Sequence, residues 1–119
     1  MSSILVVDDH ADIRRLLSVT LGKGHDILEA DNGAQALDII ERALPRVVLL
    51  DVMMPGDVSG MDVLKAIRNN PALRSTRVAM LTARGQSSDM DAATELGADA
   101  YFVKPFSPLK VLHWVQGNL

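Results

Sequence analysis

Five short apolar runs, each followed by a stretch of helical spacing, constrain this chain more than any other feature. Ile4 to Val7 is apolar, rich in β-branched residues, and stops at Asp8-Asp9, as a strand buried on both faces does. Ile13, Leu16, Leu17 and Leu21 then recur at helical spacing until Gly22 and Gly24. His25 to Ala30 is a more polar strand, suited to a sheet edge. Asn32 then caps a helix carrying Ala36, Leu37, Ile40 and Leu44 that Pro45 stops. Arg46 to Asp51 is the strongest strand, and Met61, Leu64 and Ile67 line a helix that ends near Pro71. Arg77 to Thr82 and Ala100 to Val103 complete the five. Between them a helix from about Ser88 to Leu96 has much alanine and few large apolar groups, which predicts light packing before it closes at Gly97. The last helix opens at Ser107 with Pro108 in its first turn. Pro108, Val111, Leu112, Val115 and Leu119 share its core face and leave Trp114 on the flank beside Lys110.

Strands alternating with helices of this length imply right-handed crossovers, hence a parallel sheet with helices on both faces: a three-layer α/β/α fold with five helices. At 119 residues and 48% apolar content the chain can bury one core without disulfides or structural metal. With no repeat or linker in view, residues 1–119 are expected to form a single domain. The absence of cysteine removes disulfide and thiolate chemistry and fits a reducing compartment, so the cytoplasm is the expected location. No apolar run approaches the roughly 20 residues of a membrane span, and no membrane association is expected. The net charge is −3, and the twelve basic residues are scattered singly. Direct nucleic-acid binding would therefore need another domain.

In such sheets chemistry gathers beyond the carboxyl ends of the strands. Those positions hold Asp8-Asp9, Asp51, Thr82 and Lys104-Pro105. Each has an ordinary reading taken alone: a helix cap, a strand terminator, a turn hydroxyl, a solvated strand end. Together they place four compatible groups at the ends of four strands that one fold brings side by side. Three carboxylates on one rim repel by up to about 4 kcal/mol per close pair at an effective dielectric near 20. Lys104 and a hard divalent cation are the available compensators, and an all-oxygen acidic site suits Mg²⁺.

At this point the chain resembles the response-regulator receivers, the family that includes single-domain chemotaxis regulators. The resemblance covers essentially the whole chain. It rests on Val7-Asp8-Asp9, Leu50-Asp51-Val52-Met53-Met54-Pro55, Leu81-Thr82-Ala83 and Tyr101-Phe102-Val103-Lys104-Pro105-Phe106, in that order and at those spacings. It implies a flavodoxin-like strand order of 2-1-3-4-5. It also implies a phosphoacceptor at Asp51 and a Mg²⁺ site formed by Asp9, Asp51 and the backbone carbonyl of Met53, with Asp8 in support. Lys104 is implied as the phosphoryl-pairing cation, and Thr82 with Tyr101 as the switch pair. The implied donor is a sensor histidine kinase or a phosphotransfer protein. The implied readout is the face of the fourth helix, fifth strand and fifth helix, through a homodimer or a downstream effector. Such a chain mediates its own phosphorylation and dephosphorylation and is not expected to turn over an external substrate.

The chain departs from the family's pattern after Met54-Pro55, where Gly56 to Ser59 place four residues before the helix-opening Gly60 instead of the usual three. Asp57, in that loop, is expected to be a solvated charge. Met53 and Arg84 stand where the family tunes hydrolysis of the acyl phosphate; Met53 offers no polar group to an attacking water, and Arg84 is expected to shield the phosphoryl oxygens. One class of transcriptional receivers commonly carries a glutamate and an arginine where this chain has Lys110 and Trp114, so its charged pairs cannot form here in the same way. The methionines are expected to fill gaps, and His10, His25 and His113 to be too dispersed for a metal site.

Three other readings compete. A phosphatase of the haloacid dehalogenase type needs a second acid two residues after its nucleophile, where this chain has Met53. A flavodoxin needs a Ser/Thr/Gly-rich phosphate cradle after strand one, where this chain has Asp8-Asp9-His10. The third is a receiver-like binding module that no longer takes phosphate.

Overall fold

A computed structural model describes residues 3–22, 24–83 and 87–119, except for the side chains of residues 87–89. In chain order the elements are β1 (Ser3–Val7), α1 (Ala11–Leu21), β2 (Asp26–Ala30), α2 (Gly33–Ala43), β3 (Val47–Asp51), α3 (Gly60–Asn69), a 3₁₀ turn (Pro71–Leu73), β4 (Arg77–Thr82), α4 (Ser87–Glu95), β5 (Ala100–Val103) and α5 (Pro108–Gly117). All strand pairs are parallel, in the order β2-β1-β3-β4-β5. Every residue of the central β3 is buried, while the edge strands β2 and β5 are partly exposed, as their polarity predicts.

Strand alternation sorts the core into two halves. Leu5, Val7, Val48, Leu50, Val78 and Met80 point toward α2, α3 and α4; Ile4, Val6, Val47, Leu49, Ala79 and Leu81 point toward α1 and α5. Carried one step past the strands, the same alternation puts Asp8, Asp51 and Lys104 on the α1/α5 side. Thr82 and Tyr101 fall on the α4 side. The acidic site and the expected switch pair therefore lie on opposite faces of one sheet end.

The starts of α2, α3 and α5 are set by side-chain caps. Asn32 accepts from Gln35 N at 2.8 Å, Ser59 and Asp62 form a reciprocal capping box, and Ser107 caps the Pro108 turn. Two apolar positions differ from the sequence expectation. Leu16 is 42% exposed, because α1 buries only Leu17 and Leu21 completely. Leu44 lies outside α2 in a left-handed conformation (φ 46°), since Pro45 disfavours a right-handed helical residue before it. α4 buries Ala93 as its one fully covered apolar side chain among those described, matching the light packing expected of it.

Candidate functional site

β1, β3 and β5 end side by side, which brings three distant sequence positions into contact. Lys104 Nζ lies 2.7 Å from Asp8 Oδ2 and 3.5 Å from Asp51 Oδ2, with Asp8 fully buried and Asp51 nearly so. Asp51 is fixed from below: Val52 N donates to Leu81 O at 3.1 Å, and Met53 N approaches Asp51 Oδ1 at 3.3 Å. Gly60, which opens α3, presses against this strand end, and a Cβ there would collide with the Asp51 carbonyl. Met53 turns its own side chain out to solvent.

The acidic turn after β1 is braced by Arg14, which sequence reasoning passed over, and by His10, which it set aside. Arg14, one turn into α1, donates from Nη1 to the Asp8 carbonyl at 2.7 Å and pairs through Nε with Glu29 on β2. The three histidines are dispersed, as expected, but His10 by itself joins the acidic cluster. Its Nδ1 is 3.1 Å from Asp8 Oδ1 and 3.3 Å from Asp9 Oδ1, and its backbone N–H donates to Asp8 Oδ1 at 2.9 Å. Possible ligand atoms of Asp8, Asp9, His10 and Asp51 all lie within 4.8 Å of one another. His25 and His113 stand elsewhere. The only hint in the sequence was that His10 directly follows the acidic pair.

The electrostatics follow from this crowding. Burial, then the negative charge of Asp8, pushes the Asp51 carboxyl up to about 7 from 3.8, although Lys104 draws it down. Lys104 is held above the ordinary lysine value: burial opposes its charge, but the Asp8 hydrogen bond and the Asp51 charge outweigh that. One lysine does not neutralise three carboxylates. The oxygen-rich donors and the excess negative charge fit a hard divalent cation.

Across the sheet end, Thr82 is fully buried and its hydroxyl has no hydrogen-bond partner among the described residues. Tyr101, two strands from Asp51, donates its hydroxyl to the Met90 carbonyl of α4 at 2.6 Å. Asp57 is exposed in its loop, as expected. That loop packs its Val58 onto the first turn of α2, where Gly33 leaves no Cβ in the way. Arg84 lies outside the described residues. Trp114 is half-buried and meets the Phe102 ring edge-on, with centroids 6.2 Å apart.

The family model for the response regulator receiver domain matches residues 4–116. The chain is 44% identical over 106 residues to a probable transcriptional regulator ycf27 of Porphyridium aerugineum, covering 88% of this chain and 42% of that protein. It is 38% identical over 111 residues to the phosphate regulon transcriptional regulatory protein PhoB of Pseudomonas aeruginosa, covering 92% and 48%. It thus spans less than half the length of these curated relatives. Among solved structures it is similar to the chemotaxis protein CheY4 of Vibrio cholerae, with a TM-score of 0.90 and 32% identity over 100% of this chain and 99% of that one.

Proposed function

The chain belongs to the response-regulator receiver family of two-component signalling, and from that premise we propose that it is a phosphoacceptor switch charged at Asp51 by a histidine kinase or phosphotransfer protein. The observation that carries this is the Asp51 carboxylate, buried at the end of the central strand and flanked by Lys104, Asp8 and Asp9. Asp57, the other acid near it in sequence, is solvated and has no such surroundings.

In this reading Asp9, Asp51 and the Met53 carbonyl would hold Mg²⁺, with Asp8 in support, and the ion would supply charge neutralisation for the transfer. Asp51 must lose its proton to act, and Lys104 favours that by its positive charge. An Asp51 carboxylate oxygen forms a bond to phosphorus as the bond from phosphorus to the donor nitrogen breaks, leaving an acyl phosphate. Lys104 then divides its ammonium between Asp8 and a phosphoryl oxygen as a point charge. Positioning and electrostatics are most of what phosphoryl transfer requires.

For readout, the unpartnered Thr82 hydroxyl donates to a phosphoryl oxygen. Tyr101 gives up Met90 and moves toward the space beside Thr82, altering the α4-β5-α5 face. A downstream effector or a second copy of the chain reads that face. Met53 puts no acid where a phosphatase would protonate a leaving group, which supports a switch over an enzyme with external substrates. No helix among the described residues is long and apolar enough to cross a membrane, and the reading places the protein in the cytoplasm with its kinase's catalytic part. Acetyl phosphate with Mg²⁺ tests the proposal: wild type should gain one phosphoryl group by intact mass, and Asp51→Asn none.

A further inference from the structure

We infer that the imidazole of His10 is a nitrogen donor at the acidic rim, shifting its cation preference from Mg²⁺ toward later first-row divalent ions such as Ni²⁺. This rests on the reading of the rim as a cation site and adds a specificity-determining residue to it.

The geometry comes first. Two ligands at right angles on one ion, each about 2.1 Å from it, are about 3.0 Å apart. His10 Nδ1 stands 3.1 Å from Asp8 Oδ1 and 3.3 Å from Asp9 Oδ1, so the ring nitrogen already has the spacing of a neighbouring ligand to each carboxylate oxygen. An Asp51 oxygen belongs to the same 4.8 Å cluster. The ring is 64% exposed, which leaves it open to an arriving hydrated ion.

Residue chemistry comes second. His10 occupies the N-cap of α1 but its side chain makes no capping hydrogen bond, so helix capping does not account for a histidine here. Among the described residues, the ring meets the carboxylates of Asp8 and Asp9. An oxygen-only site suits Mg²⁺; an imidazole contributes little to Mg²⁺ and more to ions later in the Irving–Williams order. Ni²⁺ and Mg²⁺ accept the same octahedron at similar bond lengths, so comparing them isolates donor type from ion size.

Calorimetric titration with MgCl₂ and with NiCl₂, at one pH above the ordinary imidazole range, tests this on wild type, His10→Ala, Asp9→Asn and Asp51→Asn. His25 and His113 are present in all four, so any adventitious nickel binding by them cancels. His10→Ala should lose roughly tenfold in Ni²⁺ affinity while Mg²⁺ affinity stays within about twofold. Pulsed EPR of the Mn²⁺-loaded protein should show an imidazole nitrogen coupling that His10→Ala lacks. Unchanged or tighter Ni²⁺ binding in His10→Ala, or an equal loss for both ions, would overturn the inference. If the two aspartate variants lose both ions while His10→Ala loses neither, only the role of His10 fails. If the aspartate variants also bind as wild type does, the rim is not a cation site and the underlying reading fails with it.

Discussion

Lys104 sits closer to Asp8 than to Asp51, 2.7 Å against 3.5 Å, so its half-buried ammonium leaves the central carboxylate only partly compensated. Asp51 is held near 7, mainly by burial and then by Asp8. Above a pH of about 4 the unfolded chain releases this proton while the folded protein keeps it, so the folded state loses stability as pH rises toward 7. Asp51→Asn removes that loss. In the absence of divalent cations it should stabilise the protein by about 1–3 kcal/mol at pH 7.5 and by little at pH 4. Urea unfolding at both pH values checks this, and a variant less stable than wild type at pH 7.5 would contradict it.

A second expectation concerns the orphaned hydroxyl of Thr82. A buried hydroxyl without a partner costs about 1–3 kcal/mol, and valine has the same shape without it. Thr82→Val should therefore be as stable as wild type or up to about 1 kcal/mol more so. It should still be phosphorylated at Asp51 yet fail to release Tyr101 from Met90. Amide exchange of α4 with and without beryllofluoride measures this release. A change in α4 as large as that of wild type would remove Thr82 from the switch.

At the opposite end of the sheet Arg68 ties α3 to the loops that lead into β4 and β5. It donates to the carbonyls of Gly97 at 2.9 Å and Thr76 at 2.7 Å, and to Asp99 at 2.8 Å, whose same oxygen accepts from Val78 N. Removing it leaves the Gly97 and Thr76 carbonyls without this donor, while Asp99 keeps Arg77 at 3.4 Å. Arg68→Ala should cost about 2–4 kcal/mol, and Arg68→Lys should recover little because an ammonium cannot reproduce the planar fork. Thermal unfolding measures the loss, and initial phosphorylation rates below the melting range should stay within twofold or so of wild type.

Much of this architecture was legible in the sequence because burial on both faces forces β1, β3 and β4 to be continuous apolar runs. They end where the chain reaches Asp8, Asp51 and the residue after Thr82. Strand alternation then decides which of those groups meet, so the Asp8-Asp51-Lys104 contact follows from residue parity. The rest depended on features with no period. Leu16 and Leu17 are neighbours with equal hydrophobicity, and only the packing of α1 decides which is covered. His10 lies in a turn whose side-chain direction no pattern fixes, and the Tyr101 bond to Met90 requires knowing where α4 rests.

A fourth expectation concerns association. Trp114 is packed on Phe102 but remains partly open, next to a cleft of about 380 Å³ lined by Tyr101, Phe102, Val103, Phe106 and Lys110. Val103 is itself exposed, and among the described residues that line the cleft only Lys110 is charged. Self-association on activation should accordingly persist at high salt, where charged pairs would be screened. Light scattering of beryllofluoride-treated protein at 0.05 and 0.5 M salt, with a roughly tenfold weaker association in Trp114→Ala, is the expected result. A folded, phosphorylatable Trp114→Ala that associates as wild type does would confine Trp114 to packing.

The central claim is that Asp51 carries the phosphoryl group, and chemical trapping addresses it directly. Borohydride reduces an aspartyl phosphate to homoserine, so protein charged with acetyl phosphate and Mg²⁺, reduced and digested, can be mapped by mass spectrometry. Homoserine should appear at position 51 and be absent when acetyl phosphate is left out. Homoserine at Asp8, Asp9 or Asp57 in place of Asp51, or none at any position under conditions that charge a known receiver, would contradict the account.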